Sequence, residues 1–307
     1  MKNSKASRKQ ESGTVDEIKK LALIAMVSDD SLMETLVLKG GNAIQLVLRI
    51  NSRASKDLDF SIPADFEEPD VERTRARIEE LLVTTFQESG YHVFDVEMEE
   101  RPTTISPEMR DFWGGYRVVF KVISVADLGR LGGDIDSLRR NAVVVGDRNR
   151  RKFVIDISKY EFCVGKQAHD VDGYTVYVYT PEMLVFEKLR AICQQMPEYS
   201  ALVKDRGATA RARDFYDVHV LVGYYRVDFR SEENRRLLAD IFKAKRVPLQ
   251  LLGKVRDQRE FHRPDFQSVQ DTVPIGTELE SFDVYFDYVL EKIGELQAFW
   301  EEQMPGG

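Results

Sequence analysis

The sequence predicts an α+β chain in which a mixed-sheet domain is followed by a helical domain. Three observations carry this expectation. Short period-two segments alternate with helical ones up to Thr180; beyond Pro181 the spacing turns helical; and 43% hydrophobic residues in a chain of 307 supply a sizeable core. The expected organisation is a polar, disordered start at residues 1–14, a sheet domain at 15–180, and a helical domain with an acidic tail at 181–307.

Composition narrows the function classes. No apolar run approaches the roughly 20 residues of a membrane span, and Met1 to Ser12 lacks the apolar stretch of a signal peptide, so a cytoplasmic protein without a membrane partner is expected. Cys163 and Cys193 are the only cysteines, and His92, His169, His219 and His262 are scattered. Neither a disulfide framework nor a Cys/His zinc site follows from such spacing, and any metal would be held by carboxylates. Formal charge is −8, but Pro264 to Gly307 alone carries −9, from ten acids against Lys292. The remaining body is near neutral, and its cluster Arg148, Arg150, Arg151 and Lys152 reads either as a local phosphate contact or as a solvated loop.

Taken in order, Val15 to Val27 has the apolar spacing of an amphipathic helix, and Leu36 to Leu38 reads as a short buried strand ending at Gly40 and Gly41. Asn42 to Ile50 then reads as a helix. Lys56 to Ile62 alternates Leu58, Phe60 and Ile62 with Asp57, Asp59 and Ser61, the signature of a half-buried strand whose two aspartates face the same way. Val71 to Ser89 is a charged helix and Tyr91 to Glu99 a strand; after the Trp113-Gly114-Gly115 turn, Tyr116 to Ser124 is another. Arg151 to Ser158 places Asp156 among apolar strand neighbours, and Tyr174 to Tyr179 is the last expected strand. Helices are expected at Glu182 to Gln195, Ala208 to Tyr224, Glu232 to Lys243 and Phe282 to Glu301, the last as an apolar stripe with its carboxylates outward.

The chemistry concentrates in the first half. Gly40 and Gly41 before a helix start read either as packing glycines or as a turn whose free N–H groups hold phosphate. Asp57 and Asp59 read either as a solvated strand face or as a pair of hard oxygen ligands for one cation such as Mg²⁺, shared with substrate phosphates. Asp156 supplies a third strand carboxylate, costly in an apolar strand unless something binds it.

The stretch Leu38-Lys39-Gly40-Gly41-Asn42-Ala43, followed by Arg53-Ala54-Ser55-Lys56-Asp57-Leu58-Asp59-Phe60, resembles the nucleotidyltransferases of the AbiEii/AbiGii toxin family, with Asn42 in place of the usual Thr and Ile44 in place of Leu. Two further blocks match in the family's order: Thr180-Pro181-Glu182 with Glu187-Lys188-Leu189-Arg190-Ala191, and Arg211-Ala212-Arg213-Asp214-Phe215-Tyr216-Asp217. The resemblance implies a nucleotidyltransferase fold and transfer of a nucleotide, often a pyrimidine, from a nucleoside triphosphate to an RNA acceptor, the tRNA 3′ end above all, which blocks translation. It also implies a cognate antitoxin partner.

Carried over by position, Gly40, Gly41 and Asn42 would cradle the triphosphate, with Ser55 on a phosphate oxygen. Asp57, Asp59 and Asp156 would hold Mg²⁺, or Mn²⁺ in its place. Asp156 would take the proton of the attacking hydroxyl, Lys188 would neutralise phosphate charge, and Asp214 would position that lysine or a nearby arginine. On residue type alone, Lys188 and Arg190 read as solvent-facing helix charges and Asp214 as a surface ion pair. Other outcomes within the same reading are nucleotidyl or phosphoryl transfer to a protein or small molecule, and a chain that only binds an antitoxin.

Overall fold

The computed structural model describes residues 2–302 except 51, 52, 56, 67–69, 146–148, 204–206 and 275; side chains are described from Gly13 to Glu301, Asp70 also excepted. Lys56 and Arg148 therefore lie outside the described residues. Helix α1, Lys2–Val27, buries Ile18, Leu21, Ala22 and Ala25. Its backbone reaches into the segment expected to be disordered, a stretch that contains no proline. The short α2, Asp30–Thr35, is capped by Asp29, whose carboxylate accepts from the Leu32 N–H at 3.1 Å.

Strand β1, Val37–Lys39, is buried throughout and leads directly into α3, Gly40–Asn42, which continues through Ala43–Val47 as a wider turn. There follow β2, Leu58–Ser61; α4, Asp70–Glu88; β3, Tyr91–Arg101; β4, Gly115–Ser124; the pair α5, Val125–Leu131, and α6, Ile135–Asn141; and β5, Phe153–Ser158. A hairpin of β6, Gln167–Val171, and β7, Tyr174–Val178, completes the sheet. The order is β3-β4-β5-β2-β1-β7-β6. Strands β2 with β5 and β1 with β7 are parallel, while the other neighbours are antiparallel. The sheet is therefore mixed, as expected. Its middle strands β5, β2 and β1 carry Asp156, Asp59 and the approach to Gly40, so the sequence blocks containing these residues converge.

The helical half opens with α7, Pro181–Cys193, capped by the Thr180 hydroxyl on the Met183 N–H. Then come α8, Pro197–Ser200; α9, Ala212–Tyr225; α10, Glu232–Ala244; a 3₁₀ segment at Leu249–Gln258; α11, Arg259–His262; α12, Gln267–Gln270; α13, Phe282–Gly294; and α14, Gln297–Glu302. One continuous apolar core runs from Ile18 through the sheet and α7 to Trp300. The helix expected at Phe282 to Glu301 breaks after Gly294, a residue with no side chain to hold the turn.

The tail is less outward-facing than its charge suggests. Asp283 accepts from Arg259 and Arg263, Asp287 pairs with Arg259, and Glu295 meets Lys292 and Arg230. Most of these bases precede residue 264, so counting charge within the tail missed its partners. Asp265 caps α9 by accepting from the Ala212 N–H at 3.0 Å, and buried His262 accepts from the Arg211 N–H through Nδ1 at 3.0 Å.

Candidate active site

Strand β1 ends at Lys39, and Gly40 turns the chain into α3 with φ of +69°. A Cβ at Gly40 would sit 2.5 Å from Asp59 Oδ2, and one at Gly41 would sit 2.7 Å from the Ser55 Cβ. Both glycines are thus required by close approach, and they bring backbone beside a carboxylate and a hydroxyl. Asn42 behaves differently. It is fully buried and its amide donates to the Asp57 carbonyl at 2.7 Å, so it fixes the loop that carries Asp57 and lies outside the cavity walls.

Asp57 immediately precedes β2, and its Oδ1 accepts from Arg150 Nη2 at 2.5 Å. Asp59 lies within β2 as the register partner of Asp156 on β5. Burial pushes the Asp59 carboxyl up, Lys39 opposes, and Asp156, Asp57 and Glu187 push further, leaving it at about 7. Asp156 is not buried among its strand neighbours, contrary to expectation. Its side chain is 32% exposed and accepts from Arg117 at 2.7 and 3.0 Å. The alternation of β5 turns Phe153, Ile155 and Ile157 into the core, and Asp156 to the cleft.

These oxygens are the hard donors that Mg²⁺ or Mn²⁺ takes, and the elevated carboxyl of Asp59 beside two others is a place where a cation relieves repulsion. The donor chemistry therefore fits. The arrangement is not a finished ligand cage: among the described residues no group of three His, Cys, Asp or Glu side chains is placed to hold a metal ion, and Arg150 and Arg117 engage Asp57 and Asp156.

Lys188 is buried on α7, not solvent-facing, and its Nζ donates to Asp217 at 2.7 Å and Asp214 at 3.2 Å. Asp214 also pairs with Arg211, and Asp217 accepts two bonds from Arg53 at 2.9 and 2.7 Å. Burial opposes the charge on Lys188, but Asp217 and Asp214 outweigh it and raise its pKa. For Asp214, burial is likewise outweighed by Arg211 and Lys188, which hold the carboxyl far below its ordinary range. Arg53 and Asp217 received no role from the sequence. Their signal was available: Asp214 and Asp217 are three apart on α9 and share one helix face.

A second buried cluster was also missed. Glu161 meets Arg190 at 2.6 Å, Lys39 at 3.2 Å and Lys245 at 3.7 Å, while Glu187 meets Arg190 at 3.3 Å and Lys39 at 3.5 Å. Burial alone would raise the Glu161 carboxyl, but Arg190, Lys245 and Lys39 reverse that and hold it far down. Lys245 falls to about 8 through burial.

Two cavities meet at Asp59. One, about 480 Å³, is bounded by Gly40, Gly41, Ser55 and Asp57 and by Arg53, Arg150, Lys188, Arg211 and Arg213. Its wall is almost wholly polar and more cationic than anionic, which suits a polyphosphate. The other, about 390 Å³, lies toward β4 and β5, with Asp156, Trp113, Tyr116, Arg190 and Lys245 in its wall. Lys39, Asp59, Ser158, Glu187 and Arg211 line both.

Residues 22–288 match the family model described as nucleotidyl transferase AbiEii toxin, type IV TA system. Two solved structures are similar. The one described as "putative nucleotidyltransferase from H. pylori" has a TM-score of 0.46 at 15% identity, covering 95% of this chain and 99% of that chain. JHP933 from Helicobacter pylori has a TM-score of 0.45 at 15% identity, covering 94% of each. A comparison with curated proteins finds no match.

Proposed function

The chain belongs to the AbiEii family of nucleotidyltransferase toxins of type IV toxin–antitoxin systems, and from that premise we propose that it moves a nucleotide from a nucleoside triphosphate to the 3′ hydroxyl of an RNA, with the 3′ end of cytoplasmic tRNA as acceptor. The observation that supports this reading is the position of Asp59, at the junction of a cationic, polar cavity and a second cavity with an aromatic wall. A pyrimidine donor and a cognate antitoxin partner complete the proposal by family resemblance.

In this mechanism the β- and γ-phosphates lie in the cavity beside Gly40 and Gly41, where backbone can approach closely, and Ser55 donates to a phosphate oxygen. The acceptor hydroxyl attacks the α-phosphorus, a new P–O bond forms, and the bond to the β-phosphate oxygen breaks. Asp156, partly exposed to the cleft on β5 beside Asp59, takes the hydroxyl proton. Charge developing on the departing pyrophosphate is met by Lys188, Arg211 and Arg213. Lys188 is held rigidly by Asp214 and Asp217, so no reorganisation is needed at the moment of reaction. Asp57, Asp59 and Asp156 are the residues that would hold Mg²⁺ or Mn²⁺, which when bound supplies neutralisation of phosphate charge.

Incubation of the protein with total RNA and each of four nucleotides, labelled with ³²P at the α or at the γ position, tests the proposal. Label should enter tRNA, most from CTP or UTP, and none should transfer from the γ position. Label in protein or a small molecule alone would move the acceptor to that class, and label from the γ position would replace nucleotidyl by phosphoryl transfer.

A further inference from the structure

Transfer needs two substrates, and the polyphosphate cavity accounts for one. The cavity on the other side of Asp59 has a different wall: Pro102 and Trp113 provide apolar and aromatic surface, and Arg101, Arg190 and Lys245 provide cations. Its volume of about 390 Å³ is within the range of small-ligand sites. A Cβ on Gly115 would fall 2.2 Å from the Ile157 carbonyl, so the start of β4, just after Trp113, lies close against β5.

The charges there are also unbalanced. Arg190 is 3% exposed, and although its terminal nitrogens serve Glu161 and Glu187, its Nε has no hydrogen-bond partner among the described residues. A buried, unpaired guanidinium N–H is costly, and a ligand oxygen would satisfy it. The wall holds five cations, Lys39, Arg101, Arg190, Arg211 and Lys245, against four carboxylates, Asp59 and Asp156 among them, so the positive excess is one. A wall with aromatic surface and surplus positive charge fits a base together with a phosphodiester.

We propose that this cavity receives the terminal nucleotide of the RNA acceptor, its base against Trp113 and its phosphate toward Arg190 and Lys245. This rests on the nucleotidyl-transfer reading, and it places the attacking 3′ hydroxyl on the Asp156 side of Asp59, opposite the polyphosphate. The base of the incoming nucleoside triphosphate is the competing occupant. The cations of this wall favour an occupant that brings its own phosphate there, whereas the donor's phosphates belong beside Gly40 and Gly41.

Trp113 and Trp300 are the only tryptophans, and Trp300 is buried near Gly253, away from the cleft. In full-length Trp300→Phe, titration with an RNA hairpin carrying a four-nucleotide 3′ overhang should quench Trp113 saturably in the absence of nucleotide. The same hairpin without its overhang, and CTP or UTP alone, should not. In steady state, Trp113→Ala should raise KM for the overhang hairpin about tenfold, with KM for the nucleotide within about twofold, and Trp113→Phe should restore it. Quenching by nucleotide, equal quenching by the blunt hairpin, or no quenching at all would overturn the assignment, as would a KM effect confined to the nucleotide. If the protein labels RNA while Trp113 stays silent, the cavity assignment alone fails. If the overhang quenches but no label is transferred, the transfer reading alone fails.

Discussion

Asp59 on β2 and Asp156 on β5 are register partners on adjacent parallel strands, so two carboxylates from segments almost a hundred residues apart meet at one point of the cleft. The consequence appears in the Asp59 carboxyl, which burial and its acidic neighbours raise to about 7. An unfolded aspartate ionises near 4, so the folded protein holds this proton more tightly. Stability from Asp59 is therefore fully present below pH 4 and is lost as pH rises through 7. Asp59→Asn should remove that loss. In denaturant titrations without nucleotide or metal, the variant should exceed the parent by about 1–3 kcal/mol at pH 8, and by less at pH 5. A stability gap independent of pH would show that Asp59 is ionised throughout.

Much of the frame was legible because period-two and helical spacings are strong where burial is one-sided. Strands β2, β4, β5 and β7 and helices α4, α7, α9 and α10 lie where the pattern places them. Strand β6 was not legible, since Gln167–Val171 is an edge strand with no fully buried residue and so no alternation to read. The short α5 and α6 depend on the caps Ser124 and Asp134 more than on apolar spacing. Within the site, motif positions located Gly40, Gly41, Asp57, Asp59 and Lys188 at one cavity. What the sequence concealed was partner choice. The contact of Asp214 with Lys188 and Arg211 was expected; that Arg53 reaches Asp217, or that Arg117 and Arg150 engage Asp156 and Asp57, follows from tertiary approach alone.

Gly40→Ala tests the close approach at the turn. Its φ of +69° disfavours any side chain, and the added methyl would press on Asp59 Oδ2. The expected cost is about 1–3 kcal/mol of stability, together with loss of transfer in protein that remains folded by circular dichroism. Unchanged transfer would mean that the turn tolerates displacement of Asp59.

Asp217 holds two buried cations, Arg53 and Lys188. Asp217→Ala leaves both without their best partner and should cost about 3–5 kcal/mol in chemical denaturation. Asp283→Ala, which breaks an exposed pair with Arg259 and Arg263, should leave the denaturation midpoint almost unchanged. Lys188→Ala belongs with the first group, so its activity must be compared at equal folded fraction.

Arg117 occupies the oxygens of Asp156. Removing it should favour a cation in its place. Arg117→Ala should bind Mn²⁺ about threefold or more tighter in the absence of nucleotide, measured by electron paramagnetic resonance of the free ion. Weaker binding would show that Arg117 supports the cation site.

The most direct test of nucleotidyl transfer centred on Asp59 is single-turnover transfer from α-³²P nucleotide to tRNA, comparing the parent with Asp59→Asn at equal folded fraction. The parent should add labelled nucleotide and release one pyrophosphate for each addition, while Asp59→Asn should be slower by about a thousandfold or more. A variant that keeps more than about a tenth of the parent rate would contradict the central role of Asp59.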